Sequence, residues 1–198
     1  MKDFWNTRYA ETDFAYGKNP NQFLVSHLDK IPKGKILFVA EGEGRNAVFA
    51  AQNGFEVHAF DYSEAAKVKA DALAKEKEVT VSFSVFDVLE NPYEKESFDA
   101  IIFIFAHFPI SIRKEAHNKL LHLLKPNGVI LFEAFAKDQL KFNSGGPKEE
   151  AMLFSEIEIK DEFQYVTFEF IDTKIVNLDE GPYHQGDASI IRFIGKKY

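Results

Sequence analysis

The stretch from Lys35 to Asp61 most constrains how this chain folds, because it contains a strand, a glycine turn, a helix and a second strand in succession. Residues 36–40 are an unbroken apolar run of strand length, which ends at the turn 41–44. Residues 45–51 are compatible with a helix, and residues 56–60 form the second strand. Two strands joined through a helix run parallel, so both end at the same edge of a sheet.

The glycines of the turn and the acid after the second strand indicate a nucleotide site. Gly42 and Gly44 allow the backbone to turn sharply and to approach a ligand where a Cβ atom would collide. The following helix directs free N–H groups at the same place, and Asp61 is positioned to accept hydrogen bonds from a ribose diol. We therefore predict a nucleoside-containing cofactor here. The alternative, a tight turn without a ligand, is less favoured because all five features occur in the right order.

Strands and helices continue to alternate along the chain. The patterns predict strands over residues 79–86, 100–105 and 129–135, and helices over residues 63–75 and 111–124. Alternation of this kind predicts a doubly wound α/β fold with a mostly parallel sheet. Asp87 follows the third strand and places a second carboxylate at a strand end.

The two ends of the chain have a different pattern. Asn19 and Pro20 predict the start of a helix that precedes the first strand, and residues 1–18 predict a ragged helix or a flap over the site. A capping box begins at Ser155. Residues 164–176 and 188–195 alternate in polarity and predict an antiparallel hairpin at the end of the sheet.

Composition narrows the classes of function. At 198 residues the chain fits one domain, 1–198, and its formal charge of −7 disfavours a general nucleic-acid binder. It has no cysteine, which excludes thiolate nucleophiles and cysteine-bound metals. The polar N-terminus is unlike a signal peptide, and no apolar run reaches the roughly 18 residues of a membrane span. We therefore expect a cytoplasmic protein with no membrane partner.

Four stretches of the chain resemble one family. They are FWNTRYAETDFAYGKNPNQFL, EGEGRNAVFAAQNGFEVHAFDYS, SFDAIIFIFAHFP and LLHLLKPNGVILFEAFAKDQLKFNSGGP, and together they cover most of the chain. In them the chain resembles class I S-adenosylmethionine-dependent methyltransferases, and in particular small bacterial enzymes of the tellurite-resistance and thiopurine methyltransferase type. The resemblance implies a Rossmann-like core over residues 35–198, a seven-stranded sheet with an antiparallel last strand, and an N-terminal helical segment 1–34 that covers the cofactor.

The resemblance also implies which residues bind S-adenosylmethionine. Asp61 would bind the ribose hydroxyls, Asp87 the adenine amine, and Phe105 would lie near the sulfonium. The full predicted cofactor set is Trp5, Tyr16, Gly17, Ala40, Glu41, Gly42, Gly44, Asn46, Asp61, Tyr62, Asp87, Val88 and Phe105. One departure is Phe38, which stands where family members often have an acid, and Glu41 is a candidate to hold the cofactor's amino group instead.

The acceptor side is less well defined by the sequence. His107 follows a buried strand on the cofactor side and is a candidate to bind the substrate or to take its proton. The alternative, that His107 is a loop residue whose ring nitrogens are hydrogen-bonded by the backbone, has equal weight. Arg113 is a second candidate, although a solvated arginine on a helix surface is favoured. Phe135, Tyr183 and His184 complete the predicted substrate pocket. No metal-ligand spacing is present.

We thus predict methyl transfer to a small-molecule acceptor by in-line displacement. The nearest alternative is an NAD(P)-dependent oxidoreductase, because Gly42, Gly44 and Ala47 also fit the dinucleotide fingerprint and Asp61 fits its ribose acid. A non-catalytic protein that binds S-adenosylmethionine is a further alternative. The sequence leaves the acceptor atom and the oligomeric state open.

Overall fold

One seven-stranded sheet organises the computed structural model of this chain, which describes residues 2–11 and 13–198. Met1 and Thr12, which fall in the predicted segment 1–34, lie outside the described residues. The strands are β1 (Lys35–Val39), β2 (Glu56–Asp61), β3 (Ser82–Val85), β4 (Phe98–Ile104), β5 (Leu124–Phe135), β6 (Val166–Asp179) and β7 (Gln185–Lys197). Their order is β3-β2-β1-β4-β5-β7-β6, with β1 to β5 parallel and β7 antiparallel to both of its neighbours. This confirms the predicted mostly parallel sheet with an antiparallel C-terminal hairpin.

Helices pack on both faces of the sheet. They are α1 (Lys2–Tyr9), α2 (Gln22–Ser26), α3 (Arg45–Gln52), α4 (Glu64–Glu76), α5 (Ile110–Leu123) and α6 (Glu156–Glu162). Successive residues of a strand point to opposite faces, so Leu37 joins the apolar cluster under α5 and α6, while Phe38 joins the cluster under α2, α3 and α4. Phe38, at the position of the missing acid, is therefore fully buried in the core.

Several predicted boundaries were wrong. Helix α2 begins after Asn21 rather than Asn19, because the Asn21 side chain accepts the Leu24 N–H at 3.0 Å. Helix α5 has Pro109 rather than Ser111 as its N-cap residue, and β3 is shorter than the predicted 79–86. The predicted cap of α4 at Ser63 and the capping box at Ser155 are confirmed.

The turn between β6 and β7 positions the functional end of the molecule. Residues 180–184 lie against the segment that follows α1, where the Tyr183 N–H donates to the Ala15 carbonyl at 3.4 Å. The hairpin turn and the N-terminal segment thus meet over the glycine turn. None of the described helices is long and apolar enough to cross a membrane.

Candidate cofactor and acceptor site

The glycine turn after β1 has the backbone conformation that its sequence predicts. Gly42 and Gly44 have φ angles of +64° and +86°, in the left-handed region that glycine adopts without strain. A Cβ atom on Gly42 would lie 2.7 Å from the Tyr9 hydroxyl oxygen, and one on Gly44 would lie 2.7 Å from Cβ of Ala70 in α4. Gly42 therefore admits a side chain from the N-terminal segment, and Gly44 allows α4 to pack closely.

Glu41 has a local role that the sequence did not indicate. Its Oε1 accepts the N–H groups of Asn46 and Ala47, both at 2.8 Å, and so caps the first turn of α3. Gly44, at the N-cap position of α3, has no side chain to do this. Burial raises the pKa of Glu41 to about 7, and these hydrogen bonds oppose the rise. Only Oε2 of Glu41 stays available for the predicted contact with the amino group of a cofactor.

Asp61 links the ends of β1 and β2. One carboxylate oxygen accepts the Gly42 N–H at 3.0 Å, and the other accepts the Ser63 N–H at 3.0 Å. The residue is only 4% exposed, and burial raises its pKa to about 6. A carboxylate has about four acceptor positions, so each oxygen retains the capacity to accept a further hydrogen bond.

The end of β3 is more exposed to solvent than the end of β2. Asp87 is exposed and caps a short 3-10 helix by accepting the Leu89 N–H at 3.0 Å, while Val88 is buried beside it. Burial and the carboxylates of Asp61 and Asp87 raise the pKa of Tyr62. The three predicted residues Tyr62, Asp87 and Val88 thus lie along the ends of β2 and β3.

A layer of side chains, which we call the cover, lies over the glycine turn. The cover consists of residues 2–11, 13–20 and 180–184. The rings of Trp5 and Tyr9 stack with centroids 5.3 Å apart, and Trp5 also contacts Tyr16 at 6.4 Å. Tyr9 is the buried member, and burial together with the nearby Asp61 carboxylate raises its pKa well above the usual value. Trp5, Tyr16 and Gly17 are the predicted members of this layer, whereas Tyr9 was not predicted, because it lies in a polar helix whose sequence carries no sign of burial.

Buried charges fasten part of the cover to the sheet. Arg45 donates to Glu180 at 2.6 Å, and the Asn21 amide nitrogen donates to Glu180 at 2.9 Å and to Glu133 at 2.6 Å. Arg192 pairs with the other oxygen of Glu133. All of these residues except Arg192 are less than a tenth exposed. Their partners are far apart in sequence, so spacing carried no signal for this network.

An aromatic cluster lies beyond the glycine turn, at the end of β4 and β5. The His184 ring centroid is 4.4 Å from Tyr16, 4.6 Å from Phe105 and 5.2 Å from Phe135. Phe105 has a φ of +54°, a conformation that non-glycine residues seldom adopt. Among the described residues, Nδ1 of His184 is a buried side-chain nitrogen without a hydrogen-bond partner. Burial, with added repulsion from Arg45, lowers the pKa of His184 far below its usual value, so the ring is neutral.

His107 has both ring nitrogens engaged by the backbone. Nδ1–H donates to the Met152 carbonyl at 2.8 Å, and Nε2 accepts the Phe135 N–H at 3.2 Å. Burial lowers its pKa to about 4. This arrangement matches the alternative of a backbone-satisfied histidine, and it holds the chain beside Phe135.

Arg113 is buried, so the expectation of a solvated arginine was wrong. It is 1% exposed and donates through Nε to Glu162 at 2.8 Å and through Nη1 to the carbonyls of Ala151 and Leu153 at 3.0 and 3.1 Å. His117 holds the other Glu162 oxygen at 2.7 Å. Arg113 therefore joins α5 to α6 and secures the residues that flank Met152.

The residues present fit a nucleoside cofactor that carries a diol. Asp61 accepts two backbone N–H groups and retains further acceptor positions on both oxygens. The absence of a side chain at Gly42 leaves space next to Asp61, and the Tyr9 hydroxyl lies in that space. The neutral, unpartnered nitrogen of His184 and the faces of two phenylalanines lie at the next strand end. The described residues contain no group of three side chains that could hold a metal ion.

Comparison with known proteins supports the family that the sequence resembles. The model of the family described as "Methyltransferase domain" matches residues 36–128, which include the glycine turn, Asp61 and Asp87. A methyltransferase domain over these residues supports the class I S-adenosylmethionine-dependent methyltransferases as the family that this chain resembles. S-adenosylmethionine is accordingly the cofactor that this family implies, and the predicted ribose contact of Asp61 stays a prediction. The recognition made from the sequence is confirmed.

Two curated relatives match part of this chain. The demethylmenaquinone methyltransferase of Renibacterium salmoninarum is 26% identical over 115 residues, which are 58% of this chain and 47% of the relative. An uncharacterised protein of Haemophilus influenzae is 29% identical over 120 residues, which are 58% of this chain and 48% of that protein. The chain thus matches about half the length of these curated relatives.

Solved structures share the fold. TehB from Haemophilus influenzae has a TM-score of 0.72 at 16% identity, over 100% of this chain and 67% of TehB. A protein from work on the conversion of a disulfide bond into a thioacetal group during echinomycin biosynthesis has a TM-score of 0.79 at 17% identity, over 100% of this chain and 92% of the other.

Proposed function

We propose that this chain transfers a methyl group from S-adenosylmethionine to a small-molecule acceptor. The observation that carries the proposal is the Asp61 carboxylate, held between the Gly42 and Ser63 N–H groups beneath the cover. Two backbone donors fix its orientation, and its remaining lone pairs suit the two hydroxyls of a ribose. Residues 1–198 act as one catalytic unit in this proposal.

The cofactor supplies a methyl group on a cationic sulfur, whose carbon–sulfur electron pair stays on sulfur when the acceptor's lone pair forms the new bond. The protein then needs to align three atoms and to exclude water, rather than supply a metal or a strong base. The cover, with Trp5 and Tyr9 over the glycine turn, supports water exclusion. The faces of Phe105 and Phe135 are suited to stabilise a nearby cation.

His184 is the residue that we assign to the acceptor. Its neutral ring and unpartnered Nδ1 are able to hydrogen-bond an acceptor group, and they lie against the two phenylalanines that would flank the sulfonium. The ring of Tyr183 adjoins the same aromatic cluster, with its centroid 6.3 Å from that of Tyr16. We assign His107 and Arg113 a positioning role, because their hydrogen bonds hold residues 151–153 beside Phe135.

Two observations favour a small acceptor. The His184 ring lies among the rings of Tyr16, Phe105 and Phe135 and is buried, which disfavours contact with a macromolecular surface. By their names, one relative acts on demethylmenaquinone, and one structural neighbour belongs to echinomycin biosynthesis, both concerned with small molecules. A cytoplasmic location and the absence of a nucleic-acid partner stay predictions.

The oxidoreductase alternative is not favoured by the sheet. The dinucleotide-binding fold has the order 3-2-1-4-5-6 in a parallel sheet, whereas here β7 is inserted antiparallel between β5 and β6.

Calorimetric titration with S-adenosylhomocysteine and, separately, with NAD tests the proposal. We expect the first ligand alone to bind. Incubation with methyl-labelled S-adenosylmethionine and a panel of a thiol, selenite and tellurite then tests transfer by mass spectrometry. Binding of NAD alone would overturn the proposal, and binding of S-adenosylhomocysteine with no transfer to any of a wide panel would favour the non-catalytic binder.

A further inference from the structure

Strand β6 forms one edge of the sheet. In the part of the chain that the structure describes, it pairs with β7 on one side and with no strand on the other. An edge strand presents N–H and C=O groups that can pair with another chain, and natural edge strands are often short for this reason. Strand β6 is 14 residues long, so its outer edge is a candidate interaction surface.

Residues 170–176 are the open part of this edge, which we call the β6 edge. A β-bulge between Phe168 and Phe170 interrupts the ladder just before it. Residues 173–175 are exposed, and Ile175 is 64% exposed. The β6 edge is rich in β-branched residues, contains no proline and has no net charge. An exposed strand of this composition is prone to pair with a further strand.

The sequence of the β6 edge, FIDTKIV, is chemically symmetric about Thr173. Two copies of it can therefore pair antiparallel about a two-fold axis at Thr173, with like chemistry or opposite charge at every position. The opposed pairs are then Asp172 with Lys174, Ile171 with Ile175, and Phe170 with Val176. Each pair occurs twice, once on either side of the axis.

The charges select this register over its neighbours. A two-fold axis that joins two strands edge to edge stands normal to the sheet, so opposed residues point to the same face and the axis passes through a residue. An axis at Asp172 opposes two carboxylates, and an axis at Lys174 opposes two ammonium groups. Only an axis at Thr173 sets these two residues against each other.

The two charged side chains are available for such pairing. Lys174 and Asp172 contact each other within the chain at 2.8 Å, and their side chains are 44% and 47% exposed. A lysine on an edge strand normally discourages association. Here each lysine gains an aspartate of the second copy, so the same charge favours this partner.

We propose that two copies of this chain associate through the β6 edge, with the two-fold axis at Thr173, and that their sheets join into one continuous sheet. The symmetric order of charges and apolar residues is what favours a second copy over an unrelated peptide. The inference does not depend on the proposed function, because none of the residues assigned to the cofactor or the acceptor lies within residues 170–176.

Sedimentation equilibrium of the full chain tests the association. We expect twice the mass of one chain at about 100 µM protein and a shift towards the mass of one chain on dilution. Asp172→Lys and Lys174→Asp each turn both charge pairs of the dimer from attractive to repulsive. We expect each single variant to raise the dimer dissociation constant at least about ten-fold.

Two restorations make the test specific. The double variant Asp172→Lys with Lys174→Asp exchanges the charges and should return the dissociation constant to its wild-type value. An equimolar mixture of the two single variants should also associate, because every opposed pair then has one aspartate and one lysine. Asp71→Lys is the matched control, since Asp71 pairs at 2.8 Å with Lys67 in α4, beside the opposite edge of the sheet. We expect a wild-type dissociation constant for it.

Several outcomes overturn the proposal. A wild-type mass of one chain at about 100 µM does so. A dimer whose dissociation constant is unchanged in the single variants also does so, because it would use another surface. Far-ultraviolet circular dichroism checks that each single variant is folded. Folded single variants that do not associate with each other when mixed overturn the register.

Discussion

Acidification should weaken cofactor binding through the protonation of Asp61. Its pKa is raised to about 6 by burial, and the proposed hydrogen bonds to a ribose require the ionised carboxylate. Lowering the pH from about 7.5 to about 5 leaves roughly one tenth of Asp61 ionised in the free protein. The ligand must then displace a proton from most molecules before it binds.

The size of the effect follows from the pKa of the complex. Hydrogen bonds to a charged group contribute about 1.5–3 kcal/mol, and each pKa unit corresponds to about 1.4 kcal/mol. Binding should therefore lower the pKa of Asp61 by roughly one to two units. With about 6 in the free protein, the dissociation constant rises about five- to ten-fold at about pH 5.

Calorimetric titration with S-adenosylhomocysteine across this pH range measures the effect. Asp61→Asn should bind about 10- to 100-fold more weakly at about pH 7.5 and lose the pH dependence that is centred near 6. Glu41, with a pKa of about 7, is the neighbouring carboxyl that also titrates, and Glu41→Gln keeps an oxygen acceptor for the first turn of α3. A wild-type affinity that stays flat, or an Asp61→Asn variant that keeps the wild-type slope, would refute the reasoning.

Three further predictions follow from the contacts. Gly42→Ala should abolish detectable S-adenosylhomocysteine binding in calorimetry, because the new Cβ would project into the space beside Asp61 that the proposed ribose needs, whereas Gly54→Ala, which also has a positive φ but open space, should keep wild-type affinity; similar affinities in the two would contradict this. Arg113→Leu should lower the free energy of unfolding in urea by about 3–5 kcal/mol, since it leaves Glu162 buried without its partner, and a loss below about 1 kcal/mol would be inconsistent with burial of the pair. The pKa of His107 is lowered to about 4, so the folded state binds fewer protons than the unfolded state, and stability is lost as the pH falls from about 6.5 towards 4. His107→Asn should remove about 2–3 kcal/mol of the difference in unfolding free energy between about pH 7.5 and about pH 4.5, and an unchanged difference would argue against this pKa.

Much of the fold could be read from local patterns. The apolar run of β1, the glycine turn and Asp61 lie within one short segment, and their roles depend on backbone geometry that the residues themselves impose. The Ser63 cap and the capping box at Ser155 are equally local, because each bond spans three residues. Such features need no knowledge of the rest of the chain.

The misjudged residues share a different property. Arg113 was expected in solvent, yet its partner Glu162 is 49 positions away, and the period of α5 does not reveal which helix covers it. Tyr9 was missed because its neighbour, Gly42, belongs to another element. Asn21 was passed over for Asn19 as the cap although the bond that makes it the cap, from the Leu24 N–H, is local; its buried partners Glu133 and Glu180, more than 100 residues away, were beyond any local pattern.

The sequence by itself determined the alternating strands and helices, the glycine turn and the acid at the end of β2, because hydrophobic period and turn chemistry act over a few residues. The number of strands, seven, came from the family resemblance. Only the tertiary structure decided which side chains close the site and which nitrogen there is unpartnered, as in Tyr9 over Gly42 and Nδ1 of His184. These properties depend on burial and on partners from distant parts of the chain, and they exist only after the hairpin turn and the N-terminal segment have met over the ends of the strands.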